Sequence, residues 1–246
     1  MTSTTGARGP MAATGPGGRS ALLRLRRVSR AYGKRKALHP LDLDVPAGRC
    51  VALFGHNGSG KSTLLRIASG RDRPTSGQAL FAGRPVTEDD PEVRARVAVV
   101  GDTVACYPDL TVREHLELVT IAHAVDDAAG WIDQILADRR LTDHADTLPS
   151  ALSSGQMQSL LLAAALVRPR DLLILDEPEQ RLDPEARRRL AELLVAEKES
   201  GVAVLLATHQ AELAEAVADH MVALEDGQVI AEGAPAEVLA ELGGTA

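Results

Sequence analysis

A run of glycines, one lysine and two hydroxyl residues, GHNGSGKST, spans Gly55 to Thr63. It has the spacing G-x-x-x-x-G-K-[ST] and lies between a short apolar run, CVALF, and a helical pattern, TLLRIAS. Glycines let successive backbone N–H groups point at one anion, and the first turn of the helix adds its positive end. The loop therefore predicts a nucleoside triphosphate site, in which Lys61 contacts the β- and γ-phosphates and Ser62 binds Mg²⁺.

An acidic pair ends the apolar run of LLILDEP, residues 172–178. Asp176 can hold Mg²⁺ through water, and Glu177 can orient and deprotonate an attacking water. A solvated acidic pair is the less favoured interpretation, because an apolar run that ends in these residues still needs a partner for the first acid. The predicted reaction is hydrolysis of the bound triphosphate.

These side chains need a sheet to position them. Short apolar runs recur at CVALF, at Val97 to Val100, at LLILD and at VAVLLAT, and helical patterns separate them. One such pattern, PEARRRLAELLVAEKES, follows Asp183 as a predicted N-cap, with Pro184 in its first turn. Alternating strands and helices predict a parallel sheet with crossover connections. The run ALLRLRRVSRAY alternates apolar and basic residues as an edge strand does.

The rest of the chain divides into three parts. Residues 1–20 are rich in Gly, Pro, Thr and Ala and predict a disordered tail, and residues 21–246 form one domain. Between Thr111 and about Pro169 helical patterns follow one another without a strand, which predicts an inserted helical lobe at about 111–169 with Trp131 in its core. Towards the end, a hairpin that turns at Asp226-Gly227 precedes a short helix.

Composition excludes several classes of protein. The 27 Lys and Arg residues against 34 Asp and Glu residues give a net charge of −7, which argues against a general nucleic-acid binder. No apolar run reaches the roughly 18 residues that span a bilayer, and the first residues lack the apolar segment of a signal peptide. We therefore expect a cytoplasmic protein, in which Cys50 and Cys106 are inert reduced thiols.

The order of the motifs resembles that of the ATP-binding-cassette (ABC) ATPases over about residues 22–237. LSSGQ lies about twenty residues before LLILDEP, and ATH ends the next strand. The resemblance implies an α/β P-loop NTPase fold of the RecA-like type, with a mostly parallel sheet, an antiparallel β subdomain and the helical lobe. It also implies ATP and Mg²⁺ as cofactors.

The resemblance assigns roles to individual residues. Tyr32 stacks on the adenine, Glu177 is the catalytic base, and His209 is the switch histidine that contacts the γ-phosphate, with Lys61 as a further catalytic residue. The other nucleotide-binding residues are those of the Walker A loop (Gly55, Asn57, Gly58, Ser59, Gly60, Lys61, Ser62 and Thr63), the signature motif (Ser153, Gly155 and Gln156) and the D-loop (Asp183). The implied metal ligands are Ser62, Asp176 and Asp102. From the residues alone, three less favoured alternatives stay open: Tyr32 as a surface aromatic, His209 as a structural histidine, and the serines of LSSGQ as caps of the helix that follows.

Three positions depart from the family's usual motifs. Asp102 stands where a Gln is usual, and a carboxylate cannot donate a hydrogen bond and repels the triphosphate. Ser154 replaces a common Gly in the signature. In the D-loop, Gln180 and Arg181 would crowd a dimer seam. We therefore expect hydrolysis that is slow but present.

In the resembled family the signature closes over the γ-phosphate held by a second subunit. The resemblance thus implies a homodimer with ATP between the copies, serving as the nucleotide-binding subunit of a transporter with a separate integral membrane permease. The chain would lie on the inner face of the cell membrane. The segment YPDLTVREHLELV resembles that of the ATPases of exporters whose permease is a separate polypeptide. Two alternatives stay open: a soluble cassette ATPase that acts as an assembly scaffold, and an ATP-sensing module with little turnover. No nucleic-acid partner is expected, because the chain is acidic and lacks a long heptad insertion.

Overall fold

A computed structural model describes residues 21–101, 106–180 and 182–243. The predicted tail, Asp102 and Arg181 lie outside these described residues. The strands are β1 (Ala21–Tyr32), β2 (Arg35–Pro46), β3 (Cys50–Phe54), β4 (Ser76–Phe81), β5 (Arg84–Pro85), β6 (Val97–Val100), β7 (Leu172–Asp176), β8 (Ala203–Thr208), β9 (His220–Glu225) and β10 (Gln228–Gly233). The α-helices are α1 (Lys61–Ala68), α2 (Pro91–Arg96), α3 (Val112–Ala122), α4 (Ala129–Asp138), α5 (Ser154–Leu166), α6 (Pro184–Glu199), α7 (Ala211–Val217) and α8 (Pro235–Gly243), with 3₁₀ turns at Thr142–His144 and Pro149–Ala151.

The larger sheet has the strand order β10-β9-β3-β8-β7-β6. Its neighbours pair in parallel except β9 and β10, which are antiparallel. All six residues of β8 are buried, as expected for a strand that is covered on both faces. The prediction of a mostly parallel core with crossover helices is confirmed. The predicted hairpin is also present: β9 and β10 pair antiparallel, with Glu225 opposite Gln228. Asp226 and Gly227 form the turn between them, and both have positive φ, as a tight two-residue turn requires.

A smaller antiparallel sheet, in the order β2-β1-β4-β5, packs its apolar side chains against the same core. The prediction that β1 is an edge strand is wrong. Leu25 pairs with Leu43 of β2 on one side and with Ala79 of β4 on the other. The alternation of apolar and basic residues arises because one face of this sheet buries Leu23, Leu25 and Val28 while the other face meets solvent.

The helices between β6 and β7 have an apolar cluster of their own. Leu116 of α3, Ile132 and Leu136 of α4 and Leu160 of α5 are all at most 1% exposed within it. Trp131 packs against this cluster, remains partly exposed, and donates its indole N–H to the carbonyl of Val167 at 3.2 Å. The division into a tail, one domain and a lobe at about 111–169 stays a prediction. None of the helices that the described residues form is long and apolar enough to cross a bilayer.

Both cysteines are free thiols. Cys50 is fully buried in β3, and burial raises the pKa of its thiol to about 12, so that it remains protonated at neutral pH. Cys106 is partly buried beside Met157, and burial raises its pKa as well. These surroundings agree with two inert thiols.

Candidate functional site

Three loops meet at the carboxyl edge of the parallel sheet. In the register of the strands, Phe54 at the end of β3 lies opposite Thr208 at the end of β8, and Asp176 at the end of β7 lies opposite Ala207. The segments that follow these strands contain the glycine-rich loop, the acidic pair and His209. Parallel strands place their carboxyl ends at one edge, where open α/β sheets bind ligands.

The glycine-rich loop depends on glycine at its two ends. Gly55 has φ 151°, and a Cβ atom there would lie 2.3 Å from the carbonyl oxygen of Leu224. Gly60 has φ 111° and is the N-cap of α1, without a side chain that caps the first turn. The backbone N–H groups of that turn are therefore left for a ligand, and the helix dipole makes an anion the favoured one.

Lys61 begins α1 and is 4% exposed. Its ammonium group donates to the carbonyl of Gly55 at 2.6 Å and to that of His56 at 3.1 Å. It also forms an ion pair with Glu177, at 3.2 Å between Nζ and Oε1. The predicted phosphate-binding lysine and the predicted catalytic base are thus in direct contact across the sheet edge.

Glu177 is held from three directions. Besides Lys61, its other carboxylate oxygen accepts a hydrogen bond from the side-chain amide of Gln180 and lies 3.2 Å from Nδ1 of His209. Burial opposes ionisation of Glu177, but the hydrogen bonds from Gln180 and Lys61 and the neighbouring charges hold its pKa below the usual value. The carboxyl is therefore ionised at neutral pH, as a general base must be.

The backbone at Glu177 is unusual as well. Its φ is 46°, in the left-handed region that a side chain rarely occupies, and its N–H donates to the carbonyl of Ala207 at 2.9 Å. Such conformations persist where the surroundings over-determine them and are concentrated at functional sites. The strain fits a carboxylate that must point along the edge rather than out to solvent.

Of the predicted metal ligands, Asp176 and Ser62 lie within the described residues, and both have the oxygen donors that Mg²⁺ prefers. Asp176 is partly buried at the end of β7, and Ser62 follows Lys61 in the first turn of α1. Across residues 21–101, 106–180 and 182–243, no three His, Cys, Asp or Glu side chains gather as a metal site. This donor set fits Mg²⁺, which keeps several waters and needs few protein ligands, and does not fit a fully protein-ligated metal. The third predicted ligand, Asp102, lies outside the described residues.

A cavity of about 550 Å³ extends from the glycine-rich loop to Tyr32. The predicted residues that line it are Tyr32, Asn57, Gly58, Gly60, Lys61, Ser62, Thr63 and Glu177. Ser59 is instead fully buried beneath the loop, where its carbonyl accepts from the N–H of Gly227 at 2.9 Å. Five further lining residues are not among the predicted ones, namely Arg35, Lys36, Ala37, Arg66 and Asp226. Three of these are cations, so the cavity has more positive charge than the motif alone indicates.

The signature residues do not line this cavity. Ser153 is the N-cap of α5 and forms a capping box with Gln156, whose side-chain oxygen accepts from the N–H of Ser153 at 2.8 Å. The amide nitrogen of Gln156 lies 2.7 Å from Nε2 of His144. Ser153 and Ser154 are exposed, and Gly155 is partly exposed. The prediction that a serine of this motif caps the helix is confirmed.

Two residues of the D-loop, Glu179 and Gln180, form hydrogen bonds that the sequence does not suggest. Glu179 is 1% exposed, and its carboxyl accepts a hydrogen bond from Thr208, the residue before His209. Gln180 bonds to Glu177 within the same chain. Asp183 is exposed and caps α6 by accepting from the N–H of Ala186 at 2.7 Å, which confirms the predicted cap.

Comparison with known proteins gives a consistent result. Residues 38–180 match the family model described as ABC transporter. The chain is 37% identical over 222 residues to the Nod factor export ATP-binding protein I of Cupriavidus metallidurans, covering 89% of this chain and 73% of that protein.

Solved structures agree. A structure described as the ATP-binding subunit of an ABC transporter matches with a TM-score of 0.83 and 30% identity over 90% of this chain and 93% of that one. A dimeric ATP-binding cassette in a post-hydrolysis state, bound to ADP and Pi, matches with a TM-score of 0.78 and 27% identity, covering 87% of this chain and 98% of that one.

Proposed function

The chain belongs to the ABC transporter family and is an ATPase of that type, and from this premise we propose that it drives transport through a separate membrane permease. The observation that carries the proposal is the contact between Lys61, Glu177 and His209 at the carboxyl edge of the sheet. This cluster unites a phosphate-binding cation, a carboxylate base and a donor for developing charge. The relative named for Nod factor export favours export as the direction.

The residue roles follow from this arrangement. Tyr32 stacks on the adenine, the N–H groups from Gly55 to Thr63 surround the phosphates, and Lys61 contacts the β- and γ-phosphates. Ser62 and Asp176, with Asp102, hold Mg²⁺, which neutralises charge on the phosphates when bound. Glu177 orients and deprotonates the attacking water, and His209 donates to the γ-phosphate.

The ion pair between Lys61 and Glu177 gives a reason why nucleotide binding prepares the base. A triphosphate next to Lys61 competes with Glu177 for the ammonium group. Since the lysine is one of the groups that keep the pKa of Glu177 low, its transfer to phosphate raises that pKa and makes the carboxylate a stronger base. Glu177 therefore gains basicity at the time when a phosphate is in place.

A second copy of the chain completes the site. The exposed Ser153 and Ser154 and the partly exposed Gly155 do not line their own chain's cavity, which leaves them for the γ-phosphate held by the partner. The dimeric cassette to which this chain is similar is a precedent for such pairing. Two copies close on ATP, and hydrolysis lets them separate.

The permease contacts a groove of about 350 Å³ on the helical side of the molecule. Its lining is mostly apolar and contains three arginines and one acid, and it includes Arg71, Glu88, Arg94, Val119, Leu161 and Arg168. A cytoplasmic helix of the permease with an acidic side chain fits this lining. The chain would then lie on the inner face of the membrane through its partner.

Two measurements test the proposal. The purified chain should release phosphate from ATP, Lys61→Ala should abolish the release, and Arg188→Ala, which removes an exposed cation, should not. A tagged chain purified from its own membranes should bring down one integral membrane protein. Arg71→Glu, at an exposed residue of the groove, should lose that protein while keeping the ATPase activity. Phosphate release without a membrane partner would favour a soluble role, and no release by the parent chain would favour an ATP sensor.

A further inference from the structure

Tyr32 is the only aromatic residue that lines the nucleotide cavity within the described chain, and it is 42% exposed. An exposed tyrosine ordinarily samples several rotamers, and fixing it on a ligand has an entropic cost. The ring of Tyr32 is already fixed by two neighbours. Arg30 places the centre of its guanidinium group 4.4 Å from the ring centroid, and the phenol hydroxyl donates to Asp72.

Arg30 and Asp72 also bind each other. Nε of Arg30 donates to Oδ2 of Asp72 at 3.0 Å, and the second guanidinium nitrogen lies 2.7 Å from Oδ1. This two-point contact has the geometry in which arginine and carboxylate bind most specifically. Partial burial opposes ionisation of Asp72, but the hydrogen bond from Tyr32 and the charge of Arg30 hold its pKa below the usual value. The three side chains thus form a closed triangle.

The triangle is attached to the helix that follows the phosphate loop. The N–H of Asp72 donates to the carbonyl of Arg66 in α1 at 3.1 Å. Three residues later, Thr75 bonds back to β1, with its N–H on the carbonyl of Ser29 at 2.8 Å and its hydroxyl accepting from the N–H of Ala31 at 3.0 Å. The tyrosine ring is therefore held in register with the loop that surrounds the phosphates.

Neither Arg30 nor Asp72 lines the cavity, although both are described residues. The ring lies between them and the ligand space, and the face opposite Arg30 is left for a nucleobase. We propose that Arg30 and Asp72 are positioning residues that preorganise Tyr32 for stacking on the nucleobase, an inference that rests on the proposed nucleotide site. They strengthen binding of the base without touching it.

The test separates the base from the phosphates. Equilibrium binding of ATP and of inorganic tripolyphosphate, both with Mg²⁺, is measured for the parent, Asp72→Ala, Tyr32→Ala and the double variant. Tyr32→Ala should weaken ATP binding about 5- to 150-fold, the range of base stacking. Asp72→Ala should weaken it about two- to tenfold, the range for one ordered side chain. Tripolyphosphate binding should stay unchanged, and Asp72→Ala should cause no further loss once Tyr32 is absent.

A matched control is an arginine–carboxylate pair elsewhere in the same sheet. Asp44 forms an equally close pair with Arg26, at 2.6 Å, on the exposed face of the sheet, and Asp44→Ala should change neither affinity. Three results for Asp72→Ala would overturn this inference and leave the proposed function standing. The variant could keep its ATP affinity, it could lose affinity for ATP and tripolyphosphate equally, or its loss could add to that of Tyr32→Ala in the double variant. A parent chain that binds neither ligand would contradict the proposed function, and this inference with it.

Discussion

Nζ of Lys61 lies 3.2 Å from Oε1 of Glu177, so the cation of the phosphate loop and the acid after β7 form one ion pair. The two residues are 4% and 10% exposed in their side chains. At this burial the charges are little screened, and the ammonium group of Lys61 stabilises the ionised form of Glu177. In the proposed function, this pair links occupation of the phosphate site to the basicity of Glu177.

Glu177→Gln removes the proposed base and keeps the shape of the side chain. We expect phosphate release to fall by about 10²- to 10⁴-fold, the usual contribution of a positioned general base, while ATP binding persists. Glu192→Gln, at an exposed pair with Arg188, is the control and should leave turnover unchanged. If Glu177→Gln turned over at the parental rate, Glu177 would have no place in the mechanism.

Gln180→Ala tests the hydrogen bond that the D-loop makes to the base. Because that bond is one cause of the low pKa of Glu177, its loss should raise this pKa. The base works when ionised, so the acid limb of the pH profile of kcat/KM should move to higher pH. The control is Gln134→Ala at an exposed position of α4. An acid limb that stays in place, or that moves to lower pH, would show that Gln180 does not act on Glu177.

Glu179→Gln tests a buried acid. Burial raises the pKa of Glu179, with a smaller opposing effect from its bond with Thr208. The folded state thus holds this proton more tightly than the unfolded chain, and stability falls as pH rises from the unfolded pKa through the raised one. Gln cannot ionise and can still accept from Thr208. The variant should therefore be more stable to heat than the parent at pH 8, with the difference shrinking towards pH 4. Glu199→Gln, which is exposed, should show no such trend.

Arg170 and Glu197 form a paired contact that joins the end of α5 to α6. Their bonds are 2.7 Å and 2.6 Å long, and both side chains are 10% exposed. Glu197→Ala leaves a buried guanidinium without its carboxylate and should lower the free energy of unfolding by about 3–5 kcal/mol. Glu192→Ala, which breaks an exposed pair, should lower it by less than about 1 kcal/mol. Similar losses in denaturant unfolding of the two variants would contradict this account of Glu197.

The sequence predicts the parallel core because the runs that form β3, β7 and β8 are buried on both faces and contain few polar residues. It also predicts the caps of α5 and α6, which depend on residues within one turn of the helix. The sequence predicts wrongly that β1 is an edge strand. Alternation of apolar and polar residues shows which face of a strand is buried, but it does not show how many neighbouring strands pair with it. Strand order depends on pairing between distant segments, such as Leu25 with Ala79.

The candidate site shows the same limit. Lys61, Glu177 and His209 can be found from local motifs, and the sheet edge then brings them together. Arg35 and Lys36 line the cavity because the turn after Tyr32 pairs β2 with β1, and Asp226 lines it through the hairpin at the far edge. No local sequence pattern predicts that Arg35, Lys36 and Asp226 lie next to the cavity. The roles of Gln180 and Glu179 were missed because each depends on a partner whose position only the fold sets.

The shared site between two copies is the central claim, and two mixed dimers with the same two lesions test it most directly. In the first, one copy has Lys61→Ala and the other Ser153→Arg. In the second, a wild-type copy pairs with one that carries both changes. Differential tags isolate each mixed dimer, and phosphate release is compared with that of the wild-type dimer. If the signature serves the partner's nucleotide, the first dimer keeps one intact site and about half of the activity, whereas each site of the second dimer has one lesion and fails. Activity in the second dimer and none in the first would contradict the account.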